Sequence, residues 1–373
     1  MARKLRVSVL FNEPVTSCST QRKYVSANGR LQEGPESTAR PIQPVTAAGG
    51  KTEQMVDLSE VGVLEEMEDI KVALNSLGYR TTVVNVNSDM HRLIDHLREE
   101  KPDLVFNIVE CVENEALQEM NVAGLYELLK IPYTGAGPLA LGTSLNKPRV
   151  KQILTYYGIK TPKFWLFHPS VRIMLPENLE YPLIVKPSHE DGSVGISNSS
   201  VVDAPADLRR KIRYIFEEFE QPAIVEQYID GRELNAAILG YSNPVVLPIS
   251  EIDFSGLNEG MPRIVSYAAK WMHGTIEYDG TKGLCPAKIP ASVEAKVRDS
   301  ALKCFRIFGL RDYARIDFRL SPNGDVYVLE VNPNPDISDE AGFARSARAH
   351  GLTFTETIGK IVESAIERSR NGI

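Results

Sequence analysis

The sequence predicts an α/β unit followed by α+β lobes. Three observations carry this: strands and helices alternate up to about residue 140, the strands of residues 234–373 look mostly antiparallel, and an Asn-Gly turn separates two alternating runs within residues 312–336. At 373 residues the chain is long enough for two or three domains. We place them at 1–145, 146–235 and 236–373.

Hydrophobic residues make up 43% and charged residues 24%, as in soluble globular proteins. Forty-two basic against 49 acidic side chains leave a net charge of −7, which argues against a nucleic-acid partner. Cys18, Cys111, Cys285 and Cys304 show neither zinc-site spacing nor a disulfide framework. The apolar run near the N-terminus is too short for a secretion signal or a membrane span, so a reduced, cytoplasmic location off the membrane is expected.

Residues 5–11 (LRVSVLF) read as a first buried strand. Residues 14–54 are rich in Ser, Thr, Gly, Pro and Gln and read as a long mobile loop. Gly49-Gly50-Lys51-Thr52 within it imitates a phosphate-binding loop, but Val45 stands where that motif needs its first glycine, and no strand precedes it. From Ser59, a candidate N-cap, Leu64, Met67, Ile70, Leu74 and Leu77 recur at helical spacing until Gly78. A strand at 81–86, a helix from Ser88, a strand at 103–109 and a helix at 116–130 complete the α/β unit. Further on we predict helices at 147–157 and 205–219, and strands at 182–187, 223–229, 234–240, 245–252, 313–320 and 325–331. Two helices close the chain, from Ser338 and from Thr353, the latter opened by a Thr353/Glu356 capping box.

The chemistry concentrates in residues 312–336 (DYARIDFRLSPNGDVYVLEVNPNPD). With Asn323 and Gly324 as the turn, Asp317 faces Glu330 and Arg315 faces Asn332, with Pro322 leaving the register open by one residue. One face then carries Arg315, Asp317, Glu330 and Asn332, and the other Ala314, Ile316, Phe318, Leu329 and Val331. Two carboxylates opposed at about 5 Å repel unless a cation, a proton or water intervenes. Two acids and an amide oxygen suit a hard divalent ion such as magnesium, and the plain alternative is a solvated face neutralised by Arg315 and Arg319.

Lys186 ends a buried strand and precedes Gly192, Ser193 and Gly195. Small residues there let backbone N–H groups approach phosphate oxygens, although such a loop alone is usually only a loop. Lys147, near a helix start, is by itself an ordinary surface lysine. In VEQYIDGREL (225–234) a strand end with free backbone groups could read adenine, and Glu226 and Glu233 could hold ribose hydroxyls; a plain strand–turn–strand is the alternative.

Taken together, IPYTGAGPLALGTSLNK (131–147), PLIVKPSHEDGSVGI (182–196), VEQYIDGREL, ARIDFRL and LEVNPNP resemble the ATP-grasp superfamily and, within it, the D-alanine–D-alanine ligase-like group. The likeness spans roughly residues 100–370 and is poor before them. It implies an open N-terminal α/β domain and two lobes clasping ATP. It implies that Lys147 and Lys186 contact the ATP phosphates and that the loop Gly192, Ser193, Gly195 covers them. Glu226, Gln227, Tyr228 and Ile229 would form the adenine hinge, and Glu233 would hold the ribose. Asp317, Glu330 and Asn332 would ligate two magnesium ions, for which manganese could substitute. Arg315 would stabilise the tetrahedral intermediate, and Lys270 would ride on a lid, with Ser193 and Lys270 joining Arg315 at the reaction centre. The lid candidates are residues 14–54 and 255–280. The implied partners are a small-molecule carboxylate, an amine and, through the first domain, a second copy of the chain.

The amino-acid half departs from the resemblance. The glutamate expected after the first strand has only Glu13 as a counterpart, and its serine and tyrosine partners fall on Gly192 and Trp271. VECVENEALQ (109–118) replaces the first domain's signature, with only Glu113 and Gln118 in line, and Ala341 stands where a serine should bind the second substrate's carboxylate. The expected function is therefore an ADP-forming carboxylate–amine ligase of other substrates, acting through an acyl phosphate. The alternatives are a genuine D-alanine–D-alanine ligase and a non-catalytic ATP-binding regulator.

Overall fold

The computed structural model describes residues 3–12, 23–25, 31–33, 58–86, 89–113 and 115–371. At the N-terminal end, β1 (Arg6–Phe11) lies between β4 (Arg80–Asn85) and β5 (Leu104–Ile108), parallel to both. Buried on both faces, β1 and β5 are almost continuously apolar, as central parallel strands must be. Within the segment read as a loop, the backbones of β2 (Lys23–Val25) and β3 (Leu31–Glu33) pair antiparallel. The rest of that segment, with Gly49–Lys51, lies outside the described residues, as do Glu13 and Ser88.

Helix α1 (Leu58–Ser76) starts one residue before Ser59, so Ser59 is inside the helix rather than its cap. Its Ile70 and Leu74 are buried, and Gly78 ends it at φ 86°, a conformation that favours glycine. Helix α2 (Met90–Glu100) is capped by Asp89, whose carboxylate accepts from the Arg92 N–H at 3.0 Å. Helices α3 (Glu119–Leu128), α4 (Pro138–Leu145) and α5 (Lys147–Tyr156) lead out of this unit.

A four-stranded antiparallel sheet follows, in the order β6-β9-β7-β8: β6 (Phe164–Phe167), β7 (Leu183–Pro187), β8 (Val201–Val202) and β9 (Ala223–Gln227). Helix α6 (Pro205–Phe219) packs Leu208, Ile212 and Ile215 against Val185 and Val225 of this sheet. The third sheet runs β13-β12-β10-β14-β15, with β11 on the end of β10. Its strands are β10 (Arg232–Leu239), β11 (Val245–Val246), β12 (Ser250–Asp253), β13 (Lys282–Leu284), β14 (Tyr313–Leu320) and β15 (Val326–Asn332). The single strand predicted over 245–252 is broken around Pro248, which has no N–H to give to a ladder. Between β12 and β13 the candidate lid folds into two short helices, α7 (Tyr267–Trp271) and α8 (Ile276–Asp279).

Both faces of this sheet are covered. Helix α9 (Ala291–Ile307), absent from the sequence expectation, packs Val297, Ala301 and Phe305 in one cluster with Ile316 and Phe318. On the opposite face α10 (Gly342–Ala349) and α11 (Phe354–Arg370) pack Phe343, Ala347 and Ile358 with Tyr313, Ala237 and Leu239. Helix α10 does not begin at Ser338, because the Ser338 N–H and hydroxyl both bind the Asp336 carboxylate, at 2.9 and 2.7 Å, in a turn. The Thr353/Glu356 capping box is formed.

The β14–β15 hairpin carries two deviations that cancel. The Gly324 N–H donates to Ser321 O at 2.9 Å, Ser321 N–H to Asp325 O at 2.9 Å, and Gly324 sits at φ 79°. That is a three-residue loop with glycine in the left-handed position, one residue longer than the two-residue turn assumed from sequence. A bulge between Asp317 and Phe318 then shifts the register back, so that Asp317 opposes Glu330 and Arg315 opposes Asn332 as predicted. One apolar assignment changes as a consequence. Val328, opposite Phe318, is buried, whereas Leu329 is the extra residue and is only half-buried.

Candidate active site

The centre of the site is one face of the third sheet. Alternation puts Arg315 and Asp317 on the same side of β14, and the register adds Glu330 and Asn332 from β15 and Asn235 from β10. Asp317 is the hub. Its two oxygens accept Nε and Nη2 of Arg315 at 2.8 and 2.9 Å, Asn235 Nδ2 at 2.7 Å and Asn332 Nδ2 at 2.8 Å. The Asn332 amide therefore turns its nitrogen to Asp317 and leaves its oxygen for another partner. Burial of Arg315 works against its charge, but Asp317 outweighs it and holds the guanidinium firmly protonated.

Glu330, the facing carboxylate, pairs with the Lys147 ammonium. Burial would raise its pKa, yet Lys147 overrides this and brings it down to about 2. Lys147 opens α5 behind an Asn146 cap, and its Nζ also reaches Asp191 at 3.2 Å, in the loop after β7. One ammonium thus ties the second sheet's loop to the third sheet's carboxylate.

One helical turn on lies a residue that the sequence did not single out. Lys151 is 1% exposed, and its Nζ sits 3.1 Å from Glu226, itself 1% exposed. The same Glu226 oxygen, Oε2, takes Lys186 Nζ at 3.3 Å. Burial works against ionisation of Glu226, but the two ammoniums overcome it and hold the carboxyl below its ordinary range. The other oxygen, Oε1, is buried with no hydrogen-bond donor among the described residues. The only signal for Lys151 in the sequence is its i,i+4 spacing from Lys147, which places both on one helix face.

The remaining candidates fall around this core. Gln227 N–H donates to Lys163 O at 2.8 Å and Tyr228 N–H to Pro182 O at 3.1 Å, while the Tyr228 hydroxyl accepts from the Arg263 N–H at 3.0 Å. Ile229 is buried. Glu233 pairs with Arg319 at 3.1 Å, and burial raises its pKa against the pull of Arg319. Gly192, Ser193 and Gly195 all have positive φ, at 60°, 64° and 75°. A Cβ on Gly195 would lie 2.6 Å from Pro187 Cγ, so this position requires glycine.

The glycine loop and the lid segment are stapled together. Ser193 Oγ donates to Val265 O at 2.9 Å, Tyr267 N–H to Ile196 O at 3.0 Å, and Trp271 Nε1 to Gly192 O at 2.8 Å. Lys270 Nζ lies 4.6 Å from the centre of the Trp271 ring. The two positions that depart from the resembled pattern, Gly192 and Trp271, are therefore direct partners. Ser193 reaches the lid through its hydroxyl and is not drawn into the Lys147–Glu330 centre.

Next to the sheet face lies a group of acids. Glu66 of α1 accepts from the Ile337 N–H at 3.0 Å, and burial, then Asp336 and Glu110, raises its pKa well above the ordinary carboxyl range. Glu119 accepts from Asn334 Nδ2 at 2.9 Å and is raised likewise by burial and then by Glu110. Of the two residues in line with the resembled signature, Gln118 Oε1 accepts from Asn121 Nδ2 at 2.7 Å on the surface and Glu113 occupies a left-handed φ of 53°.

Two antiparallel sheets thus meet at a cluster of opposed carboxylates and lysines, an arrangement in keeping with an ATP-grasp ligase. Comparison with known proteins agrees. Residues 152–363 match the family model for the D-ala D-ala ligase C-terminus. An uncharacterised protein of Sinorhizobium fredii is 30% identical over 306 residues, covering 81% of this chain and 87% of that protein. A D-alanine–D-alanine ligase of Pelotomaculum thermopropionicum is 30% identical over 315 residues, covering 82% and 92%. The D-alanine–D-alanine ligase of Bacillus anthracis, solved in complex with ATP, superposes with a TM-score of 0.69 at 20% identity over 99% of this chain and 100% of that one. The chain belongs to the D-alanine–D-alanine ligase family, as an ATP-grasp ligase that forms an amide bond. Among the described residues no helix is long and apolar enough to cross a membrane.

Proposed function

We propose that this chain is an ADP-forming ligase that activates a carboxylic acid as an acyl phosphate and joins it to an amine. The reading rests above all on Asp317 and Glu330, opposed on one sheet face and ringed by Lys147, Lys186 and Arg315. Two carboxylates and the Asn332 oxygen are hard donors of the kind that hold magnesium, or manganese in its place, and two such ions would draw Asp317 from its guanidinium and amide donors and Glu330 from Lys147. Bound there, the metal would neutralise phosphoryl oxygens.

The chain's own groups supply the rest. Lys147 and Lys186 offer ammoniums to the phosphates, each now balanced by a carboxylate. The orphaned Glu226 Oε1 offers a buried acceptor for a donor such as adenine's exocyclic amine, next to the backbone of Gln227, Tyr228 and Ile229. Glu233, now paired with Arg319, would take the ribose hydroxyls. The acid's oxygen attacks the γ-phosphorus and ADP leaves. The amine then attacks the acyl carbon and phosphate leaves. Arg315 stabilises the developing oxyanion, a role worth about 2.7–4 kcal/mol per donor. The stapled loop and lid, with Ser193 and Lys270, keep water from the labile acyl phosphate.

A second reading, ligation of two D-alanines, follows from the names of the relatives. Against it stand Gly192, Trp271 and Ala341, where the resembled pattern has polar partners for the amino acids. The experiment is ADP release with magnesium-ATP and D- and L-amino acids, singly and in pairs, with mass spectrometry of the products. Turnover with D-alanine alone establishes the second reading, and turnover with another pair names the substrates. If no acid or amine drives ADP release, and Asp317→Asn binds magnesium-ATP as tightly as the native chain, both readings fail.

A further inference from the structure

Arg345 is an arginine without a counter-ion. The other guanidiniums around the third sheet have carboxylates: Arg315 has Asp317, Arg319 has Glu233, Arg368 has Asp312 and Arg232 has Glu251. Arg345 forms no ion pair among the described residues, and its Nε is buried with no acceptor. A buried N–H left unpaired is costly, and more so when charged, so an orphan of this kind asks for a ligand.

Its place is built for it. Gly283 of β13 opposes Ile252 of β12, which opposes Glu233 of β10, so Gly283 lies on the same sheet face as Asn235, Arg315 and Asp317. The Arg345 guanidinium lies against Gly283, where a Cβ would fall 1.5 Å from Nη1 and 2.0 Å from Cζ. Its Nη2 also passes 3.3 Å from where a Cβ on Gly342 would stand. Two glycines thus make room for one side chain. Helical side chains lean toward the N-terminus, so Arg345 reaches back one turn toward Ala341. Ala341 is the N-cap of α10 and gives that helix no side-chain cap, and the first turn holds no acid. Burial, the largest cause, lowers the pKa of Arg345 against a pull from Cys285, the Arg348 and Arg315 guanidiniums add to the lowering and Glu340 offsets part of it, so an anion bound there would favour the charged form. Three strand spacings, about 14 Å, separate Gly283 from Arg319 directly across the sheet, and Asp317 lies two residues further along β14.

We propose that Arg345, seated on Gly283 and Gly342, is the specificity-determining anchor for a carboxylate on the amine substrate. It supplies by a guanidinium fork what the missing serine at Ala341 cannot. This rests on the ligase reading and narrows its second substrate to amines that carry a carboxylate.

The test measures ADP release with magnesium-ATP and a panel of D- and L-amino acids, each also offered as its primary carboxamide, with ethanolamine and putrescine as amines lacking a carboxylate. The enzymes are the native chain, Arg345→Gln, Arg345→Lys and Gly283→Ala. Gly283→Ala keeps the charge but pushes the guanidinium out of place. Expected is use of free acids over carboxamides, with the acceptor KM raised about 30- to 100-fold in Arg345→Gln and in Gly283→Ala. Arg345→Lys should recover part of this, and the KM for ATP should stay level throughout. Equal use of carboxamides, turnover with the simple amines, or an unchanged acceptor KM in Arg345→Gln would overturn the anchor while leaving the ligase intact. Loss of ADP release with every acceptor, together with loss of magnesium-ATP binding by the native chain, would bring down the ligase reading itself.

Discussion

Trp271 Nε1 donates to the carbonyl of Gly192 at 2.8 Å and so joins the lid helix to the glycine loop over the proposed phosphate site. A lid and a loop that close independently must each be ordered separately, whereas a stapled pair closes together. Removing the indole N–H while keeping an aromatic ring isolates this one bond. Trp271→Phe is expected to lower kcat about fivefold, as for one hydrogen bond. It should also release more ADP than product forms, since a looser lid admits water to the acyl phosphate. Parallel assays of ADP and of ligated product give the ratio, and a ratio that stays at one would mean the bond does not guard the intermediate.

Glu330 is the carboxylate that Lys147 holds ionised, and it faces Asp317 across the hairpin. Glu330→Gln keeps the shape and one oxygen but removes a charge from the proposed metal site and from Lys147. Turnover should fall on the order of 10²-fold or more, with the magnesium concentration for half-maximal rate rising at least about tenfold. A titration of rate against magnesium at saturating ATP reads both numbers, and a magnesium dependence unchanged in Glu330→Gln would exclude this residue as a ligand.

Lys151 and Glu226 form an ion pair that is 1% exposed on both sides. Breaking such a pair leaves an uncompensated charge, which costs about 3–5 kcal/mol, far more than an exposed pair is worth. Glu226→Gln should cost that much in urea-induced unfolding, because Lys151 would be left buried beside Lys186. Lys151→Met should cost less, since Lys186 still faces the carboxylate. The double substitution should recover most of the loss, and strict additivity of the two single changes would show that the pair is not energetically coupled.

The sequence made the Asp317–Glu330 opposition readable because an alternating strand states its own faces, and only the parity of the register had to be right. That parity survived by compensation: the loop is one residue longer than an Asn-Gly turn suggests, and the Leu329 bulge restores the count. A bulge leaves no mark in an alternating pattern when the extra residue and the one before it, here Leu329 and Val328, are both apolar, so the alternation alone puts Leu329 rather than Val328 on the core face. Helix α9 is absent from the sequence expectation although Val293, Val297, Ala301 and Phe305 recur at i,i+4 on its buried side, with charged residues on its other faces. Lys151 was missed for another reason. A buried lysine looks like a surface lysine until its partner is known, and Glu226 is 75 positions away. Long-range pairings such as Trp271 with Gly192, and Arg345 with Gly283, have no local signature at all.

Glu66 gives the pH prediction. Burial, and then Asp336 and Glu110, raise its folded pKa well above 4.5. A carboxyl whose folded pKa lies above its unfolded value binds its proton more tightly when folded. Its stabilising contribution is therefore present below the unfolded pKa and is lost as the pH rises toward the folded one. At neutral pH the native chain carries this penalty. Glutamine keeps an acceptor oxygen for the Ile337 N–H, which Glu66 now binds at 3.0 Å, and has no proton to lose. Glu66→Gln should raise Tm by roughly 2 °C or more at pH 7.5 and have much less effect at pH 4.5. Calorimetry at the two pH values decides it: a gain of equal size at both would place the effect in packing, and a loss at pH 7.5 would mean that the charged form of Glu66 stabilises the fold.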